Sequence, residues 1–460
     1  MNSTSHQTPP EPSPSDPAPP DSRPARNRLA QYGVLLFFLA LVLLPVLGQG
    51  CSGEAAKWKA ARALHAFDQG RTDQALAWMR EAAQQRPDDV YLLTPLVQML
   101  LKANRPDEAL EIAERIQQDP EFSQLGYQLA DPCLIRLGRF DEALEAFRKY
   151  EPAMKAQETR APEPLASFFG TPDLRLEYRS SRLNDFAYHR ALAGKELDEA
   201  RLNIQGVIDE LSQYPWYPLE LRVSFVDRVV ISAALIGRQV GHTEPALKRI
   251  DARIEGLENT LESMKTHLTS RVTEDLVDQF PLAPTVEKWH KRQAFGIAYG
   301  RQQLAALLVI RALLLDDLGR DEWRDRDRVR VIRLGHDPDK LLKQFPDDIR
   351  CLKVLQQGAA YLDTRAVVLQ KLDDLDLAWN DIQIAVTAVQ ILNETFGGGI
   401  QNSVSNSAGD FFDEDTSRRS EAALLYHRML LAEQMGNQDL AESDRQRIRE
   451  LGFKPGPGLN

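Results

Sequence analysis

Gly70-Arg71-Thr72-Asp73-Gln74-Ala75-Leu76, Asn104-Arg105-Pro106-Asp107-Glu108-Ala109-Leu110 and Gly138-Arg139-Phe140-Asp141-Glu142-Ala143-Leu144 align without gaps, and successive copies lie 34 residues apart. Arg, Asp, Ala and Leu recur in register in all three. The leading Gly or Asn suits a left-handed turn at a helix end, because Gly has no Cβ to clash and Asn tolerates the conformation. The Asp then falls where the next helix presents its positive pole. The Ala keeps two helices close, and the Leu opens an apolar stripe. One helix pair cannot bury that stripe alone, so neighbours must stack.

A helix-turn-helix of this period resembles the tetratricopeptide repeat. In the first copy Gly70, Ala75, Met79, Ala82 and Pro87 occupy the family's turn, small, large, small and terminal-proline columns. The third matches at Gly138, Ala143 and Phe147, with Tyr150 where a small residue is usual. The second has Asn104 for the turn glycine and Pro120 one place early. The tryptophan column is not kept; Trp58 lies one position off it. The resemblance implies an all-α fold, a right-handed solenoid of stacked helix-turn-helix units. Looser copies run from Lys195 to Ala200, from Gly241 to Ala246, from Arg365-Ala366 through Asp373 to Ala378, and from Gly436 to Ala441 after Tyr426 to Leu431, and the stretch from Trp289 through Gly300 and Ala305 is one more candidate. About seven to nine hairpins are expected. Three regular units fill 55–155, a proline-bearing linker 156–176, divergent hairpins 177–270, irregular hairpins 285–396, a flexible Gly/Asn/Asp loop 397–419 and a terminal hairpin 420–453. Asp and Arg interleave through 320–348, which reads as a solvated helix face with internal ion pairs.

Composition narrows the classes. The 460 residues are 43% apolar and 27% charged, with net charge −11. Mean hydropathy is −0.39, against a polytopic membrane protein. The apolar fraction excludes a wholly disordered chain. The acidic balance argues against nucleic acid as a partner, since phosphate attracts basic surfaces. Three cysteines exclude a disulfide-dense fold.

Residues 1–28 hold 8 of the 27 prolines and no Leu, Ile, Val or Phe, and read as a disordered tail. From Leu29 to Gly53 no side chain is charged. Residues 29–50 are long enough for one transmembrane helix. Arg23, Arg26 and Arg28 before it favour a cytoplasmic N-terminus and a repeat domain on the extracytoplasmic side. Gly48-Gln49-Gly50 also offers small residues to a signal peptidase, and Cys51 follows a small residue as at a lipoprotein site, although Gly48 stands where Leu is wanted. Anchor, cleaved signal and lipidation stay open, and all three put the bulk of the chain outside the cytoplasm.

No chemistry-bearing motif emerges. The eight histidines include no pair four apart, and Cys51, Cys133 and Cys351 lack metal-ligand spacing. Cys133 reads as a small buried residue, and whether it pairs with Cys351 is left open. The glycines at 397–399 lack the following Lys-Ser or Lys-Thr of a phosphate loop, and the acidic run at 410–415 lacks the calcium-loop pattern. No catalytic residue, metal ligand or cofactor is expected.

What the resemblance implies instead is a concave groove lined by the first helix of each unit. Its columns would be Lys57, Ala60, Leu64 and Phe67, then Tyr91, Thr94, Gln98 and Lys102, then Leu125, Gln128, Ile135 and Arg136. Leu64, Phe67 and Ile135 fit a core role equally well. The partner-binding set is Lys57, Phe67, Tyr91, Thr94, Gln98, Lys102, Gln128 and Arg136, suited to an extended peptide or a partner's helix. The expected function is a non-enzymatic, membrane-anchored scaffold for protein partners at the cell envelope. Two alternatives stand beside it: an enzyme or enzyme subunit acting on envelope glycans with a site in 250–420, and a self-associating structural envelope protein.

Overall fold

The computed structural model describes residues 51–161, 174–213, 222–269, 286–345, 349–397 and 414–455. The tail at 1–28, the apolar segment at 29–50 and parts of the expected linker and loop lie outside them. Among the described residues there are seventeen helices and no strand. The chain divides into two compact units, Met1–Leu96 and Val97–Asn460.

In the first unit, α1 (Cys51–Asp68) packs along α2 (Thr72–Gln85), and α3 (Val90–Lys102) begins. Ala56, Ala60, Ala63 and Ala66 recur at helical spacing on α1 and are buried with Ala75, Leu76, Met79, Ala82 and Ala83 of α2. Small residues on one side admit large ones from the other. A buried Leu76 or Met79 contributes roughly 1.5–3 kcal/mol relative to exposure. Gly70 makes the turn at φ +74°, with Arg71 N–H donating to Ala66 O at 2.9 Å and Gly70 N–H to Phe67 O at 2.8 Å. Those two bonds are a Schellman cap, which satisfies carbonyls the helix end leaves unpaired.

The same turn recurs along the second unit. Asn104 (φ +57°) separates α3 from α4 (Pro106–Gln117), and Gly138 (φ +71°) separates α5 (Ser123–Arg136) from α6 (Phe140–Arg160). Ala109 and Ala143 are buried, as are Leu110 and Leu144. Gly194 turns α7 (Leu174–Ala193) into α8 (Leu197–Gln213), with one extra residue, Glu196, also at positive φ. Gly241 turns α9 (Phe225–Gln239) into α10 (Thr243–Thr269), and Gly319 turns α11 (Val286–Asp317) into α12 (Asp321–Arg333). After the short α13 (Pro338–Leu342), Asp373 joins α14 (Ile349–Lys371) to α15 (Leu375–Gly397), and Gly436 joins α16 (Glu414–Gln434) to α17 (Gln438–Glu450). Eight such helix pairs are present among the described residues.

Two expectations are corrected. Gly300 makes no turn: Val286–Asp317 is one helix of 32 residues. A Cβ at Gly300 would lie 2.6 Å from Leu261 Cδ2, so this glycine serves a close helix crossing. Helix also runs into both expected connections, to Arg160 and from Glu414.

The second unit is not a simple row. Every residue from Phe225 to Gly237 in α9 is buried. This helix packs against α8, α10, α11, α14 and α15, because a helix apolar all round must be covered all round. In turn, α14 packs on α7 and α8, far back in the chain. Ala294–Asp317 within α11 is long and apolar enough to cross a membrane, but Leu304 to Ile310 are all buried in this unit's core.

Candidate functional site

Helix α3 carries the clearest surface. Tyr91, Thr94, Gln98 and Lys102 follow spacings of three and four, which places them on one face. Tyr91 is 83% exposed, Gln98 and Lys102 are exposed, and Thr94 is half-buried. The opposite face supplies Leu92, Leu93, Leu96, Val97 and Leu100 to the core. On α1, Lys57 is exposed and Phe67 half-buried, while Ala60 is buried and lines nothing. On α5, Gln128 is exposed and Leu125 and Ile135 are half-buried.

Arg136 is already engaged: its guanidinium donates to Leu101 O. From α16, Arg419 Nη2 donates to Lys102 O at 2.8 Å. Two cations thus cap the carbonyl end of α3, the negative end of its dipole. Arg136 therefore belongs to the framework below the stripe and not to its face.

Further along, the first helix of the fourth pair is covered by the chain itself. Tyr188 of α7 meets His427 of α16 with Oη and Nε2 3.5 Å apart, and His427 Nδ1 lies 2.7 Å from Asp363 Oδ1 on α14. Behind it, Asp131 of α5 accepts from Tyr150 Oη at 2.7 Å and from His189 Nε2 at 2.6 Å. His189 Nδ1 faces Asp185 O at 2.5 Å, so both ring nitrogens meet acceptors and the imidazolium satisfies both. Burial alone would lower the His189 pKa, but hydrogen bonding and charge from Asp131 override it and raise it. Burial pushes the Asp185 carboxyl up to about 6. Both histidines are hydrogen-bonded within the packed helices. That Asp131 and His189 meet, 58 residues apart, no local pattern announces.

A second buried feature did have a sequence signal. Arg311–Asp327, Arg365–Asp381 and Arg428–Asp444 are bidentate pairs, each 16 residues apart. Each is centred on a turn residue, Gly319, Asp373 or Gly436, eight positions from either partner.

The 250–420 region contains an open cleft of about 680 Å³, lined by Asp251, Arg311, Arg320, Asp321, Glu322 and Trp323 among others. Its charges are paired or solvated. Arg311 holds Asp251 at 2.9 Å and Arg320 holds Glu244 at 2.9 Å. Along α12, Arg324 pairs with Asp316, Asp321 and Asp325, the ion-paired face that the sequence suggested. Among the described residues no cluster of three His, Cys, Asp or Glu is placed to hold a metal. Cys133 and Cys351 are both buried and neither is in a disulfide, and burial pushes the Cys133 thiol up to about 12.

No curated protein matches the chain. Similar solved structures include the Naa15/Naa10 complex bound to HypK-THB, 12% identical over 93% of this chain and 74% of that one, at a TM-score of 0.27. Yeast Tom70 is 11% identical over 86% and 92%, at 0.20, and the P58(IPK) TPR domain 12% over 83% and 99%, at 0.19. Likeness this loose bears on neither site nor partner. A family model described as tetratricopeptide repeat matches residues 66–119, which hold the turns at Gly70 and Asn104. Over that stretch the chain matches the tetratricopeptide repeat, and the same capped helix pair recurs beyond it.

Proposed function

We propose that the chain is a non-catalytic scaffold, held at a membrane by residues 29–50, that captures protein or peptide partners on the exposed stripe of α3. The observation that carries this reading is Tyr91, Thr94, Gln98 and Lys102 sharing one face, with a tyrosine 83% exposed above a dry apolar side. Exposed aromatics beside polar groups are what binding hot spots use. Lys57 and Phe67 on α1 are further candidates in the first unit, and Gln128 on α5 is a separate one in the second. The arginines before the apolar segment support a cytoplasmic N-terminus, with the repeats on the extracytoplasmic, envelope side. The paired charges of the cleft at Asp251 weigh against a glycan-cleaving centre there.

The experiment is affinity capture from detergent-solubilised membranes with the full chain, run beside Tyr91→Ala/Gln98→Ala/Lys102→Ala. A saturable partner that the triple variant loses supports the scaffold. A chain with no saturable partner, or a variant that binds as well, defeats it.

A further inference from the structure

Helix α1 is the first of the described helices, and its outward face is exposed. Its inward arc is Ala56, Ala60, Ala63 and Ala66. The outward arc presents Lys57, Trp58, Ala61, Arg62, Leu64 and His65. Trp58 is 67% exposed. The Arg62 guanidinium sits 5.3 Å from the Trp58 ring and 4.4 Å from that of Trp78 on α2, so a cation is held between two indoles at the surface. Among the described side chains the acid on this outward arc is Asp68, at the far end of the helix, with Glu54 one turn before Lys57 and Trp58 in the sequence; Glu81 is occupied by Lys59 at 2.6 Å on the flank.

An open end of a repeat stack is ordinarily finished with a polar face. A solvated tryptophan beside cations is instead the composition of a membrane–water interface, where indole rings sit at headgroup level and Lys and Arg reach anionic phosphates. What lies next to this face in the chain fits that occupant. The uncharged run from Leu29 to Gly53 reaches into the first turn of α1, and Trp58 is eight residues beyond Gly50. Were α1 to continue straight outward, Trp58 would stand about 12 Å above the last apolar residue, at 1.5 Å per residue.

We infer that the outward face of α1, carrying Lys57, Trp58 and Arg62, docks on the headgroup layer of a bilayer containing anionic lipid. This rests on the reading of residues 29–50 as a membrane segment, and docking fixes how the repeat domain stands on the surface.

The test is tryptophan fluorescence of the full chain reconstituted into phosphatidylcholine vesicles with a phosphatidylglycerol fraction, some lipids brominated near the headgroup. Wild type should lose an emission component that Trp58→Phe lacks. Lys57→Glu/Arg62→Glu should lower that quenching in the mixed vesicles and not in pure phosphatidylcholine. Equal quenching of wild type and Trp58→Phe, with both chains floating with the vesicles, overturns the docking and leaves the anchor intact. Quenching indifferent to the charge reversal in mixed vesicles overturns the anionic contact. A wild-type chain that does not float with vesicles overturns the anchor, and the docking with it.

Discussion

Arg365 and Asp381 face each other across a helix pair with two parallel hydrogen bonds, Nε to Oδ2 at 2.6 Å and Nη2 to Oδ1 at 2.8 Å, and the Asp381 side chain is fully buried. The turn between them puts one helix's eighth residue back opposite the other's eighth residue forward. The planar guanidinium matches the carboxylate fork, and each pair ties α14 to α15 as Arg311–Asp327 ties α11 to α12. Asp381→Ala leaves a buried cation uncompensated and should cost about 3–5 kcal/mol in urea denaturation. Arg365→Met with Asp381→Leu, which removes both charges, should recover most of that loss. A double variant as unstable as the single would mean that the pair adds more than charge balance.

Stability should fall as pH rises past neutrality. The folded-state pKa of His189 is raised above its ordinary 6.5, so its contribution is full below 6.5 and is lost as pH climbs through the raised value. Asp185 acts in the same direction at lower pH. Its folded value of about 6 against 3.8 means that the unfolded chain releases the proton first, so stability declines between those two values. The groups facing His189 are Asp131, the Asp185 carbonyl, and the Phe147 ring at 4.7 Å. The midpoint of thermal unfolding, followed from pH 6 to 9, should drop in wild type and drop less in His189→Gln.

Two helical glycines should respond oppositely to alanine. A Cβ on Gly358 of α14 would lie 2.4 Å from Val229 Cγ2 of α9, at the crossing of the two central helices. Gly358→Ala should therefore cost about 1–3 kcal/mol through overpacking. A Cβ on Gly256 of α10 meets nothing within 4 Å, so Gly256→Ala should gain about 0.5–1 kcal/mol from helix propensity. Denaturant midpoints of the two variants check both signs.

Asp373 turns the seventh helix pair at φ +62°, where six of the others use glycine. A side chain in that region is strained by roughly 1 kcal/mol, less for Asp than for bulkier residues. Asp373→Gly should be neutral to stabilising by that amount, while Asp373→Val should destabilise and broaden the thermal transition.

Tyr91→Ala removes an exposed ring and no core contact, so the unfolding midpoint should stay within about 0.5 kcal/mol of wild type. Partner capture should weaken by about 2 kcal/mol if this tyrosine is an anchor of the α3 stripe. Isothermal titration with a captured partner measures the second quantity and circular dichroism the first.

Local physics made the repeat legible before any coordinates. Gly70, Asn104 and Gly138 had to be turns because few residues accept a left-handed backbone, and the Ala and Leu columns had to be buried because the helix period puts them on one face. The choice of the α3 columns came from the resemblance to the repeat family and not from local physics. The Arg-to-Asp interval of 16 was equally present in the sequence, and shows only when the chain is compared with itself around the turn residues. The rest depended on which helices meet. Nothing within α9 says that α14 and α15 will cover it, nothing near Gly300 says that Leu261 crosses there, and nothing near Asp131 names His189. Each of these is set by packing among segments remote in the chain, where the entropy of bringing them together is repaid only by the finished core. A repeating unit specifies its own turn and its own buried face, whereas the partner of that face is chosen by the whole.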